Sequence, residues 1–407
     1  MIAYTLQCAS RVLGRFVPLW AWCVCLILLF CAWKSSAAET AFVPVSSAAI
    51  FFSPYNTYSD GDGRMLATNV HAGSHYALWV NPGVYLQCSF TASAIDLLIA
   101  TNLKVDDQPS KIGWSIDGGE LHRKQLTRTE KTIRLARDAG AGTHTLLLIY
   151  LSSDGNADRW RIPEADLRVR GLRLIGNKGE RISVAPVPVK PKTILFFGDS
   201  ITEGAWVSGT SFRKVSGKYI DWVRFSDASL AWPRIVADTF DAEYGVCAFG
   251  GTGWISSADP YVPPMPSSWS FYFAGHSRLI NGELTPSPDM VIANLGTNDG
   301  DRQTSLAIRL WLKEVRRSLV PETPVVLIVP FGQMNRSEIL DALSRQTDPY
   351  VFEVDLGPDA AEGLKEYGRA SSISFDGLHP NASATPVYAA AVVEAIKRTV
   401  GFGLRGQ

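Results

Sequence analysis

The sequence predicts an antiparallel β-sandwich of jelly-roll type followed by an α/β unit built on a parallel sheet. Three observations predict it. Residues 42–185 carry short runs rich in β-branched and aromatic residues, separated by turn residues. From residue 193 onward, continuous apolar runs alternate with segments of helical spacing. Between the two, "ISVAPVPVKPK" (182–192) is punctuated by prolines and reads as an extended connection. The expected organisation is an N-terminal segment over 1–38, the sandwich over 42–185, a linker over 186–192 and the α/β unit over 193–407.

The N-terminal segment differs in kind from the rest. Arg11 and Arg15 precede "VPLWAWCVCLILLFCAW" (17–33), an uncharged apolar run followed by "KSSAAET". Positive residues, an apolar stretch and small residues form the layout of a secretory signal, with Ser36 and Ala38 ahead of a cut at Glu39. The run also reaches the lower limit for a membrane span, so membrane attachment through residues 17–33 is the alternative. Either way the bulk of the chain is expected to be exported, secreted or periplasmic. Cys8, Cys23, Cys25 and Cys31 belong to this segment, leaving Cys88 and Cys247. Both lie within strand-like runs, which favours two buried thiols over a bridge.

In the sandwich, "HYALWVN", "VYLQCSFT", "AIDLLIATN", "KIGWSIDGG", "TIRLARD", "THTLLLIYLSS" and "LRVRGLRLIG" read as strands, and no long helical period interrupts them. In the α/β unit the strands are "TILFFG", "EYGVCAFGG", "DMVIANLG", "PVVLIVPFG" and "YVFEVDL". Helices are expected at "LAWPRIVADTF" and near 303–319, 336–346 and 385–399. Strands without polar alternation imply a parallel sheet covered on both faces. In such sheets, sites gather beyond the C-terminal ends of the strands.

Charge and composition exclude several functions. Lys plus Arg equals Asp plus Glu at 39 each, a formal net charge of zero. With no basic stripe, a nucleic-acid partner is not expected, and no protein partner is evident. No CxxC pair or His-rich cluster suggests a metal, and "SDGDGR" (59–64) reads as a turn rather than a calcium loop.

Four short blocks fall where the fold rule places chemistry. "GDS" with Ser200 follows the first α/β strand, "GGTG" with Gly250, Gly251 and Gly253 the second, and "GTND" with Asn298 and Asp299 the third. "DGLHPN" with Asp376 and His379 precedes the last helix. Each alone is an ordinary turn or cap. Together they fill a chemical specification. A neutral serine needs a base, which His379 supplies, and Asp376 accepts from the second ring nitrogen and holds the tautomer. An oxyanion needs donors, available from the Ser200 N–H, a glycine N–H of the second block and the Asn298 amide.

GDS, Gly, GxND and DxxH, in this order over about 193–400, resemble the SGNH subgroup of the GDSL esterases and lipases. The resemblance implies a three-layer α/β/α, flavodoxin-like domain with Ser200 as nucleophile, Asp376 and His379 as acid and base, and Ser200, Gly251 and Asn298 as oxyanion hole. It implies no cofactor. Asp199 is expected to structure the turn and Asp299 to orient the loop beneath Asn298. The preceding β-sandwich makes the whole similar to the two-domain acetyl esterases of carbohydrate esterase family 2. The expectation is therefore an exported esterase acting on acetylated carbohydrate through an acetyl-enzyme. A lipid esterase or thioesterase, a glycan O-acetyltransferase and a non-catalytic glycan-binding protein are the alternatives.

Two loops, 205–227 and 254–273, are expected to read the substrate, because long insertions without regular structure are often functional. They carry Trp206, Trp222, Trp254, Tyr261 and Trp269. Trp206 and Trp254, each a few residues from a catalytic block, are the expected sugar-stacking residues, although indoles in such loops often pack the loop onto the body instead.

Overall fold

A computed structural model describes residues 39–402 apart from 62–63, 102–106, 141, 162, 164–165, 212, 258–260 and 365–368. The expected signal or anchor, residues 1–38, and part of the "SDGDGR" turn lie outside the described residues. Among the described residues no helix is long and apolar enough to cross a membrane.

The first half forms two antiparallel sheets. One orders the strands Thr57–Ser59, Ala77–Trp79, Leu167–Gly176, Ala94–Thr101 and Thr132–Ala136, with Glu39–Pro44 also on Leu167–Gly176. The other orders Ser183–Ala185, Tyr85–Thr91, His144–Ser152, Lys111–Ile116 and His122–Gln125, with Phe51–Phe52 on Tyr85–Thr91. Trp79, Leu97 and Leu172 of one sheet share a core with Leu86, Cys88 and Leu148 of the other. Each sheet thus hides one apolar face against its partner. The short strands at 51–52, 57–59 and 122–125 were not expected. They are too short or too polar to show a period, and pairing to longer neighbours defines them. Cys88 and Cys247 are both free and buried.

The second half is a five-stranded parallel sheet of β1 (Lys192–Gly198), β2 (Ala242–Ala248), β3 (Met290–Asn294), β4 (Val325–Ile328) and β5 (Val351–Val354), in the order β2-β1-β3-β4-β5. Its helices are α1 (Trp232–Thr239), α2 (Ser305–Arg317), α3 (Arg336–Ser344) and α4 (Thr385–Thr399). On β1, Ile194 and Phe196 meet α1 and α4 on one face, while Leu195 and Phe197 meet α2 and α3 on the other. That is why the run is apolar at every position. Ile308, Trp311, Leu312 and Val315 place an i, i+3, i+4, i+7 stripe of α2 on the sheet.

Strand β2 is an edge strand, yet all seven of its residues are buried. The first half covers it. Asn81 Nδ2 donates to the Ala248 carbonyl at 2.6 Å, Gln87 Nε2 donates to Glu243 at 3.1 Å, and the Tyr85 hydroxyl bonds Glu243 and accepts the Tyr244 N–H. A Cβ on Gly245 would lie 2.1 Å from the Pro54 carbonyl oxygen, so the two halves meet backbone to backbone there. The two expected loops are less irregular than their sequences suggest. The first carries a ribbon (Lys214–Val215 with Lys218–Tyr219) and a helical turn at Trp222–Phe225. The ribbon is held by a two-point Arg213–Asp221 pair and by Asn156, which both donates to and accepts from the Tyr219 backbone.

Gly245→Ala is expected to destabilise the fold by about 1–3 kcal/mol through overpacking at this seam. Urea unfolding of the two proteins side by side measures the difference.

Candidate active site

The C-terminal ends of β1, β2 and β3 lie side by side, and the loops leaving them carry Ser200, Gly251 and Asn298. The loop entering α4 brings His379 and Asp376 to the same place. His379 Nε2 lies 2.8 Å from Ser200 Oγ, and His379 Nδ1 lies 2.6 Å from Asp376 Oδ2. Ser200 and His379 are 5 % and 6 % exposed, so both side chains are almost fully enclosed by the loops that carry them. Asp376 Oδ1 accepts from Ser374 Oγ at 2.9 Å, Leu378 N–H at 2.9 Å and His379 N–H at 2.8 Å. Burial by itself would raise this carboxyl. The His379 ring and the two backbone donors outweigh it and hold Asp376 down at about 2.

The glycine block resolves by hydrogen bonding. The Gly250 N–H donates to Glu203 at 3.0 Å, the Thr252 N–H to the Phe249 carbonyl and the Gly253 N–H to the Ser256 carbonyl. Among the described residues the N–H groups of Gly251 and Ser200 have no partner. Gly251 adopts a φ of +86°, which glycine alone takes without strain. Asn298 Nδ2 donates to the Thr252 carbonyl at 2.9 Å and, over a longer 3.3 Å, to Asp199 Oδ2. The bond to Asp199 is the weaker of the two by its length.

Asp199 is fully enclosed beneath the turn, where it accepts from the Ile201 N–H at 3.0 Å and from Asn298. Burial pushes its carboxyl up to about 7, against the pull of the Ile201 N–H and His379, and the nearby Glu203 adds to the rise. It therefore structures the turn and also touches the Asn298 amide. Asp299 anchors the segment that lies against Asn298: Ser256 Oγ donates to Asp299 at 2.6 Å and lies 2.8 Å from the Asn298 carbonyl. It accepts the N–H groups of Trp254, Ile255 and Ser256 at 2.7, 3.1 and 3.0 Å, tying down the segment after the glycine block.

The structure corrects the expected sugar-stacking pair. Trp206 is 2 % exposed and packs on Tyr219, Trp222 and Phe225. Trp254 is 1 % exposed, packs on Trp311 and donates its indole N–H to the Leu295 carbonyl at 3.2 Å. Both indoles are interior because apolar faces were available within reach of the loops, which stabilises them more than exposure would. Of the other loop aromatics, Trp222 is half-buried and its ring stands 3.0 Å from where a Gly250 Cβ would be. Two charged neighbours of the block, Arg159 and Glu203, carried no motif by which sequence could single them out; they pair at 3.0 Å. Among the described residues no cluster of His, Cys, Asp or Glu has the arrangement to hold a metal ion.

Chemically, the arrangement can draw a proton from Ser200 to His379, hold the charged imidazole against Asp376, and donate to an oxyanion from two free backbone N–H groups. The two carboxyls make opposite pH predictions. The depressed Asp376 stabilises the fold above an unfolded-state value of about 4, and that contribution is lost as pH falls through about 2. The raised Asp199 favours its protonated form, so its contribution declines as pH rises from about 4 to about 7. Relative to wild type, Asp376→Asn is expected to lose stability at pH 6 but little near pH 2. Asp199→Asn is expected to gain relative stability between pH 4 and pH 8. Chemical denaturation across pH measures both trends.

No protein-family model matches the sequence, and no curated protein sequence matches it. Solved structures match closely in shape. A family two carbohydrate esterase from Cellvibrio japonicus superposes with a TM-score of 0.67 at 17% identity, covering 89% of this chain and 98% of the other. An acetyl xylan esterase, Est2A, from Butyrivibrio proteoclasticus gives 0.67 at 18% identity, covering 90% and 100%. A family two carbohydrate esterase from Clostridium thermocellum in complex with cellohexaose gives 0.65 at 17% identity, covering 87% and 99%. Across nearly its whole length, this chain has a fold similar to that of the family two carbohydrate esterases.

Proposed function

We propose that this protein is an exported serine esterase that removes O-acetyl groups from polysaccharides or oligosaccharides through an acetyl-enzyme. The observation that carries the reading is the continuous chain from Ser200 Oγ through His379 to Asp376, set beside the free N–H groups of Ser200 and Gly251. Ser200 Oγ attacks the acetyl carbonyl while His379 Nε2 takes its proton. The oxyanion receives the Ser200 and Gly251 N–H groups and the Asn298 amide. His379 gives the proton to the departing sugar oxygen, which leaves as the hydroxyl; it then takes a proton from the attacking water and returns it to Ser200 Oγ as acetate is released. Asp376 stays ionised throughout and stabilises the imidazolium.

The substrate assignment is supported by the shared fold with an acetyl xylan esterase and with an esterase that holds cellohexaose. Two further features accord with it. The site lies at the strand ends of the parallel sheet, and Trp222 stands beside the glycine block as a replacement for the two buried indoles. Export follows from the charged-apolar-small layout of residues 1–38.

Acetate release from a panel of acetylated polysaccharides, with aryl acetates and octanoates beside them, tests the reading. Acetyl esters are expected to be preferred, and preference for chains of about eight carbons would replace this reading with a lipid esterase. Ser200→Ala is expected to lower kcat by at least about 10⁴-fold. Asn298→Ala is expected to lower it by about 10²–10³-fold, with a smaller effect on KM.

A further inference from the structure

Glu203 lies three residues after Ser200 and is 2 % exposed. Its Oε1 accepts the Gly250 N–H at 3.0 Å, so it grips the glycine block one residue before the free N–H of Gly251. The grip is close. A Cβ on Gly250 would lie 2.9 Å from Glu203 Oε1 and 3.0 Å from the Trp222 ring, so a side chain there would have to displace one or both. The counter-charge for Glu203 comes from the other half of the chain. Arg159 sits in the connection between the strands His144–Ser152 and Leu167–Gly176, and its side chain is 5 % exposed. Its Nη1 donates to Glu203 Oε2 at 3.0 Å and its Nη2 to Oε1 at 3.5 Å, while the guanidinium lies 5.4 Å from the centroid of the Phe249 ring.

A buried carboxylate is costly unless paired, and a buried pair is a poor way to gain stability alone. Its fork geometry, however, aims both carboxylate oxygens. We propose that Arg159, a residue of the β-sandwich half, is a positioning residue for the oxyanion hole: it orients Glu203, which holds Gly250 so that the Gly251 N–H faces Ser200. The inference rests on the serine-esterase reading above. It makes the sandwich a working part of the site rather than an attached module. Simple docking of the halves is the competing role for the pair. Gln87, which bonds Glu243 at the seam away from the site, supplies a docking control.

The test uses the full chain and two readouts. The first is the rate of Ser200 labelling by a fluorophosphonate, which depends on the oxyanion hole but on no particular sugar. The second is amide hydrogen exchange at Gly250. Arg159→Met is expected to slow the maximal labelling rate by about 10²-fold, the cost of a small misplacement, with the half-saturating probe concentration within about threefold of wild type. Gly250 protection is expected to fall by about tenfold or more as its acceptor loosens. Arg159→Lys is expected to recover part of the rate. Arg159→Met combined with Glu203→Gln is expected to return to within about tenfold of wild type, since the amide oxygen still accepts and no charge is left unpaired. Gln87→Ala is expected to leave both readouts unchanged. A labelling rate for Arg159→Met within about twofold of wild type, unchanged Gly250 protection, or an equal loss in Gln87→Ala would overturn the proposal. If Arg159→Met does not fold, Arg159→Lys and the double variant decide by the same criteria. If wild type itself resists the phosphonate, the esterase reading fails while Gly250 exchange still decides the clamp.

Discussion

An edge strand of a parallel sheet presents one row of backbone groups with no neighbouring strand to pair them. In this chain β2 is such a strand, and the first half of the chain closes over it. Asn81 caps the Ala248 carbonyl, Tyr85 and Gln87 gather on Glu243, and Pro54 lies where a side chain on Gly245 would have to be. Sealing the edge this way protects it from pairing with another chain. It also fixes the strand from which the glycine block departs. The remaining architecture follows: β1 and β3 pair in register beside and beyond it, and three loops leave the sheet at one edge.

The site is built mostly from backbone geometry. Among the described residues nothing engages the N–H groups of Ser200 and Gly251, whereas their neighbours Gly250, Thr252 and Gly253 are each committed to an acceptor. Donors held by a rigid sheet edge need no rearrangement when charge develops, which is the physical basis of oxyanion stabilisation. Carboxylates do the fixing. Asp376 sets the histidine, Asp199 touches the Asn298 amide, Asp299 collects three successive N–H groups, and Glu203 holds Gly250. All four are buried, and their burial is compensated in three ways: by backbone donors at Asp376 and Asp299, by a raised protonation range at Asp199, and by Arg159 at Glu203.

Substrate-facing aromatics were the least legible part of the site. Trp206 and Trp254 were singled out by nearness to a block in sequence, yet each side chain found an apolar partner inside, Trp254 against Trp311 and Trp206 against Trp222. Distance along a loop says little about which way an indole turns. The apolar gain from burial decides it, and that depends on neighbours contributed from elsewhere. The loop over 205–227 also holds more local structure than its sequence suggests, because Asn156 of the first half and the Arg213–Asp221 pair brace the ribbon at 214–219.

What the sequence by itself determined was everything carried by short-range pattern. Largely apolar runs marked β1 to β5, periodic ones marked α1 to α4, and four compact blocks marked Ser200, the glycines, Asn298, and the Asp376–His379 pair. Those signals survive because the period of a strand, the turn of a helix and a three-residue spacing are local properties of the chain. Only the tertiary structure decided which glycine keeps a free N–H among the described residues, which way the tryptophans point, and that Arg159 of the sandwich meets Glu203 of the loop that carries Ser200. Each is a competition among partners far apart in sequence, settled by desolvation and hydrogen-bond geometry when the two halves close together.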